Sequence, residues 1–191
     1  MIDQFLAFFV GVGLAAAVGV RIFIPLLVVS ISAFTNNLIL SNYFTWMGSL
    51  PVIIILIVIC VFETMAFFVP WLDNFLDAVE HPLSIITGII ITGAVIADFN
   101  PYIKWIFALI IGGAISGTIN AATGLLRLKV SAESGGKNNF IFSTIEIISA
   151  IVLSLVSIFA PIFAGFITAI CLIYFTFIIR NKFLSPAKNK D

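Results

Sequence analysis

Apolar residues run through this chain in long blocks, and polar residues gather at the breaks between them. The breaks fall at Thr35 to Ser41, Asp73 to His81, Asp98 to Lys104, Lys129 to Asn139 and the turn at Ala160-Pro161. A helix needs roughly twenty apolar residues to cross the hydrocarbon core of a bilayer, and the blocks are of that order. The pattern predicts six transmembrane helices, near residues 5–34, 48–70, 83–98, 102–127, 141–159 and 161–180. The last two form one apolar stretch about twice the length of a single crossing. Pro161 and Gly165 divide it into a tight helical hairpin. The first block, at about thirty residues, is too long for one perpendicular helix. It is either strongly tilted or interrupted near Gly19 and Pro25, as a re-entrant segment would be.

Composition changes the picture only by closing alternatives. The chain is 62% hydrophobic and 9% charged, with nine Lys/Arg, nine Asp/Glu and one His, and its mean hydropathy is +1.25. A soluble domain of this size needs far more polar surface, whereas lipid-facing helices need almost none. No basic surface suggests nucleic acid, so the expected partners are membrane lipids and a small solute or ion. The fold class is an all-α membrane protein, with one transmembrane domain over residues 1–183 in halves of about 1–98 and 99–183, and a short cytoplasmic tail at 184–191. Met1-Ile2-Asp3-Gln4 lacks the basic start of a signal peptide, so the first block is expected to be retained. Cys60 and Cys171 lie within apolar runs without ligand spacing, which reads as small buried side chains rather than a disulfide or metal site.

Charge distribution sets an orientation. With six spans, one side receives both termini and the loops carrying Arg127, Lys129, Lys137, Arg180, Lys182, Lys188 and Lys190, while the other receives only Lys104 among loop cations. The positive-inside rule then makes both termini cytoplasmic, and the compartment is the bacterial inner membrane. Tyr43, Trp46, Trp71, Tyr102 and Trp105 stand at span ends as interfacial anchors.

A degenerate internal repeat is visible. Gly11-Val-Gly13-Leu-Ala-Ala-Ala-Val-Gly19 precedes Arg21, and Gly112-Gly113-Ala-Ile-Ser-Gly117 with Gly124 precedes Arg127. Three spans per half would invert the two halves, as in many secondary transporters. The plainer alternative is that both stretches are close-packing surfaces for neighbouring helices.

Against this apolar background a few ionisable residues stand out. A charged side chain at bilayer depth is costly unless paired, protonated or wetted, which makes it a functional candidate. Glu63 comes late in a helix running inward and Glu146 early in one running outward, so both fall in the cytoplasmic half, where they could share a proton or a cation. Each could equally be a structural contact with Thr64, Ser143 or Thr144. Arg21 is a basic residue well inside a span; it could hold an anionic group or pair with a glutamate. The stretch from Leu72 to Pro82 reads as a short amphipathic helix with an apolar stripe of Leu72, Phe75, Leu76 and Val79, ended by Pro82. Its other face carries Asp73, Asp77 and His81, which could line an entrance or hold a divalent cation, though a solvated face has the same pattern. Arg127, Lys129 and Lys137 around Ser131 and Ser134 could meet anionic head groups, but topology alone accounts for their charge.

No HExxH, Walker or Ser-His-Asp pattern is present, so the chain is not expected to be an enzyme, and nothing calls for a cofactor. Three blocks carry a family resemblance. They are Gly13 to Arg21 through Pro25; Glu63 with Pro70-Trp-Leu-Asp73-Asn-Phe-Leu-Asp77, His81-Pro82 and Gly88; and Ser143-Thr-Ile-Glu146 leading to Ala160-Pro161. On these the chain resembles the uncharacterised bacterial membrane family known as domain of unknown function 4126. The resemblance implies a small polytopic membrane protein and joins Arg21, Glu63, Asp73, Asp77 and Glu146 into one motif set, without bringing an activity. In plan alone the chain is similar to cation exporters of the lysine-exporter superfamily. The expected function is a small transporter coupled to protons or a cation, with a scaffold or assembly factor and a lipid-handling protein as alternatives. A homodimer is expected, because so small a bundle has little room to enclose a pathway alone.

Overall fold

The computed structural model describes residues 2–66, 70–96, 99–134 and 139–183. Among them the regular elements are helices: α1 (Ile2–Val20), α2 (Phe23–Phe34), α3 (Leu50–Ala66), α4 (Pro70–Val95), α5 (Pro101–Phe107), α6 (Gly113–Ser134), α7 (Asn139–Phe159) and α8 (Pro161–Phe183). A 3-10 helix, Asn42–Gly48, leads into α3 at a bend of 63°, and a π-helical turn, Ala108–Gly112, joins α5 to α6. The expected tail at 184–191 lies outside the described residues.

The bundle is built around α1. Leu14 to Val18 are completely buried, and α4, α6, α7 and α8 all pack on this helix. Its small residues make that possible. A Cβ on Gly13 would lie 2.9 Å from the Ala164 Cβ of α8, and one on Gly19 would lie 2.7 Å from the Ser116 carbonyl of α6. The second small-residue stretch does the same against α4, where a Cβ on Gly112 would meet the Gly88 carbonyl at 2.5 Å. Both stretches are therefore helix-crossing surfaces. They are not an inverted pair: Ala15 and Ala16 share an apolar cluster with Ile115, while Ile119 and Thr123 lie against Gly19, so α1 and α6 run side by side in one direction.

The first block is interrupted where expected. Pro25 has no N–H for the Arg21 carbonyl, and its ring crowds that group, so the helix cannot continue. The Arg21 amide still closes the last turn of α1 by donating to Ala17 O at 3.1 Å. Both arms then lead back to the same end of the bundle. Gly11 of α1 lies beside Thr92 late in α4, while Ala33 near the end of α2 packs on Gly48, and the Ser41 amide donates to Ala94 O of α4 at 2.8 Å. Arg21 thus stands at the tip of a V.

Pro82 behaves differently from the expectation. It sits inside α4, which runs unbroken from Pro70 to Val95. One lost backbone bond is outweighed by the packing of α4 on α1 and α6. α6 also outruns its expected end at 127, reaching Ser134. α7 and α8 form the expected hairpin about Ala160. Ser157 of α7 and Ala164 of α8 both face Gly13, and Leu172 and Phe175 pack lower down with Ala15 and Ala16. Since Leu6 and Phe9 of α1 lie against Ala160 to Phe166, α8 runs parallel to α1, and the described chain begins and ends at opposite ends of the bundle.

Among the described residues two helices are long and apolar enough to cross a membrane, Pro101–Ala132 and Phe140–Phe159, with the bent pair Asn42–Gly48 and Leu50–Ala66 as a third candidate. Gln4–Val20, Phe23–Phe34, Val79–Val95 and Pro161–Phe177 are shorter apolar helices. Exposed Ile54, Val58, Phe62, Leu109, Ile148 and Phe166 clothe the outside of the bundle, as helices facing lipid require.

Candidate functional site: a buried arginine–glutamate cluster

The tip of the V points its guanidinium into the centre of the bundle. Arg21 is 1% exposed. Its Nη1 donates to Glu63 Oε1 of α3 at 2.9 Å and to Glu80 Oε1 of α4 at 3.1 Å. Its Nη2 pairs with Glu146 Oε2 of α7 at 3.0 Å and lies 3.5 Å from Ser143 Oγ. Glu146 Oε2 also accepts from Arg127 Nη2 of α6. Five charged side chains from five separate segments therefore meet in one place, and all five are buried.

The local sequence explains why each arrives there. Arg21 is released from helical register by the break before Pro25. Glu63 lies one turn before the end of α3. Glu80 shares a stripe of α4 with Ser84, Thr87 and Ile91, at helical spacings that carry straight through Pro82, and all four are buried. Arg127 stands one turn beyond Thr123 on the face of α6 that meets α1. Ser143 and Glu146, three residues apart, occupy one face of α7.

Electrostatics hold the group together. Removing one partner of a buried ion pair costs about 3–5 kcal/mol, because the other charge is left desolvated. Among the described side chains three carboxylates face two guanidiniums here. Ionised groups inside an apolar bundle are met by such partners, by a proton or by water.

The structure brings Arg21, Glu63 and Glu146 together as the motif set implied, and the two glutamates take opposite nitrogens of one guanidinium. Glu80 and Arg127 join them, although neither was expected. Glu80 was hidden by the assumed break at Pro82, and the stripe through that proline was the signal. Arg127 was placed in a basic loop because Lys129 and Lys137 follow it; the extension of α6 puts it inside the bundle instead.

The Asp73 and Asp77 side chains, expected to line an entrance, lie outside those described. Phe75 and Val79, on the apolar stripe of that stretch, are exposed. His81, the remaining candidate metal ligand, has its Nδ1 2.7 Å from Asn120 Oδ1 of α6. Among the described residues no group of three His, Cys, Asp or Glu side chains is placed to hold a metal ion. Cys60 and Cys171 are free thiols, each partly buried.

A third buried cation lies at the other end of α4. Lys104 of α5 is 5% exposed; its Nζ donates to Ser41 Oγ at 2.9 Å and stands 5.9 Å from the centre of the Trp105 ring. Ser41 is itself tied to α4 through Ala94 O, so this contact fastens the loop between α2 and α3 onto the bundle.

No curated protein and no solved structure matches the chain. A family does: the description "Domain of unknown function (DUF4126)" matches residues 8–181, a stretch that contains every member of the arginine–glutamate cluster. The chain therefore belongs to the DUF4126 family.

Proposed function

We propose that this chain is a small multi-pass membrane transporter of the bacterial inner membrane, coupled to proton movement through the Arg21 cluster. The observation that carries this reading is the cluster itself: three glutamates and two arginines, drawn from five segments and buried together. Charge at that depth is costly, and protonating one of the carboxylates alters how five segments are held to one another. A proton suits the geometry better than a metal cation, because the carboxylate oxygens already face guanidinium donors. In this account α1 and α2 form a re-entrant pair whose tip presents Arg21, and α3, α4, α5 with α6, α7 and α8 cross the membrane. The end holding the cluster faces the cytoplasm in this account, since Lys129 of α6 and Arg180 and Lys182 of α8 lie toward that end of their helices. The C-terminus is then cytoplasmic and the N-terminus opposite, a revision of the expectation that both share a side.

The alternative is a membrane scaffold whose ion pairs only lock the helices. Proteoliposomes enclosing a pH-sensitive dye, exposed to gradients of alkali cations, amino acids and organic acids, separate the two. A transporter moves protons in response to at least one solute, and Glu63→Gln or Glu146→Gln abolishes the movement. Proton movement with none of these solutes, or movement that survives both substitutions, overturns the proposal; if the substitutions then lower only thermal stability, the chain is a scaffold.

A further inference from the structure

The buried Thr168 hydroxyl is not held as other threonines of the bundle are. Thr64, Thr123 and Thr144 each donate to the carbonyl four residues back on their own helices. Thr168 of α8 is 1% exposed, and its Oγ1 has no hydrogen-bond partner among the described residues. A hydroxyl taken out of bulk water and left unpaired is costly, and the usual remedy in a protein interior is a bound water.

The place of Thr168 says what such a water would meet. It lies one turn beyond Ala164 and one turn before Leu172, on a single face of α8. Ala164 faces Gly13 of α1 together with Ser157 of α7, and Leu172 packs with Ala15 and Ala16 of α1. The Thr168 face therefore looks into the seam where α1, α7 and α8 meet. Counting from the hairpin at Ala160, Thr168 comes level with Ser154: one lies about 6 Å past Ala164 and the other about 4.5 Å before Ser157, at 1.5 Å per residue. Ser154 and Ser157 are completely buried and donate into their own helix, to Ala150 O at 2.6 Å and Leu153 O at 2.5 Å. Each keeps lone pairs to offer, whereas Thr168 can both donate and accept. A donor and several acceptors at a junction of small residues are the groups that hold a water. The same face of α7 continues at helical spacing through the buried Ala150 to Glu146 of the arginine–glutamate cluster.

We propose that Thr168, Ser154 and Ser157 form a water site in the α1–α7–α8 seam, through which protons reach Glu146 from the side of the membrane opposite the cluster. In uptake an O–H bond forms on a Glu146 carboxylate oxygen, and the hydronium that gave the proton is left as water; release reverses both changes. Glu146 is suited to receive the proton because it stands on the α7 stripe and pairs with both Arg21 and Arg127. Its protonation loosens α7 from both arginines. This inference deepens the transport reading and rests on it.

Water-edited solid-state NMR of the full chain in lipid, with threonine labelled in carbon-13, tests it by measuring how fast magnetisation passes from water to each threonine. Thr168 is expected to build up well ahead of Thr92, a threonine equally buried whose hydroxyl donates to Gly11 O. A Thr168 no faster than Thr92 overturns the proposal, a reading that needs no variant to fold. In the proteoliposome assay Thr168→Val, which keeps the shape and removes the hydroxyl, should slow solute-driven proton movement about tenfold, the order expected of one lost hydrogen bond. Thr168→Ser, which returns the hydroxyl, should restore it. Movement at the wild-type rate in Thr168→Val overturns the proposal as well. The two proposals fail separately: a hydrated Thr168 in a chain that moves no protons removes transport and leaves the water site. Proton movement past a dry Thr168 does the reverse.

Discussion

The two ends of α4 bury positive charge in different ways. Glu80 and Ala94 are about 21 Å apart along the helix at 1.5 Å per residue. Near the first, Arg21 and Arg127 meet three glutamates; near the second, Lys104 meets one hydroxyl and lies over an aromatic ring. In the cluster the charges depend on one another, so changing the protonation of one group alters the balance for the other four. At Lys104 a single bond fastens a loop to a short helix, and its loss concerns that loop alone. Burial of charge is thus common to both ends, while charges that depend on one another belong to the cluster, and that dependence is what the proposed transport uses.

Substitutions can break or sharpen this contrast, and the largest effect is expected at Arg21. Arg21→Met leaves three buried carboxylates with one cation fewer and should lower stability by about 3–5 kcal/mol, measured as thermal or denaturant unfolding in lipid–detergent micelles. Arg21→Lys keeps the charge but loses the fork that reaches α3, α4 and α7 at once, so an intermediate loss is expected. Next comes Gly19→Val, which forces the α1–α6 crossing apart just before the tip of the V; overpacking of this kind costs about 1–3 kcal/mol in the same assay. Lys104→Met removes one hydrogen bond in exchange for an apolar side chain of similar length, and a change within about 1 kcal/mol is expected. A loss at Lys104 equal to that at Arg21 would erase the distinction between the two ends. The smallest effect is a gain: a Cβ on Gly124 of α6 meets nothing within 4 Å, so Gly124→Ala should stabilise the helix by about 0.5–1 kcal/mol.

Much of this arrangement was legible in the chain, and the parts that were not have physical reasons. Arg21, Glu63 and Glu146 declared themselves because each interrupts an apolar run, where the cost of burying charge has to be met. Pro25 located the break in the first block through its missing N–H, but nothing local specifies the angle at which a broken helix departs. The return of α2 beside α3 is decided by the packing of these two helices and of Ala33 on Gly48. Glu80 was obscured by a proline expected to end a helix that in fact runs through it. Arg127 was obscured by the lysines after it, which mark a membrane boundary in sequence but leave a long side chain free to reach back into the bundle. The small-residue stretches were correctly seen as alike; their likeness lies in packing, since α1 and α6 run in the same direction.

The most direct test sets the two ends of α4 against each other in proteoliposomes. Proton movement driven by the same panel of solute gradients is measured for the wild-type chain, Glu80→Gln and Lys104→Met. The account predicts that Lys104→Met moves protons as the wild type does and that Glu80→Gln does not. Equal movement in Glu80→Gln and the wild type would contradict it.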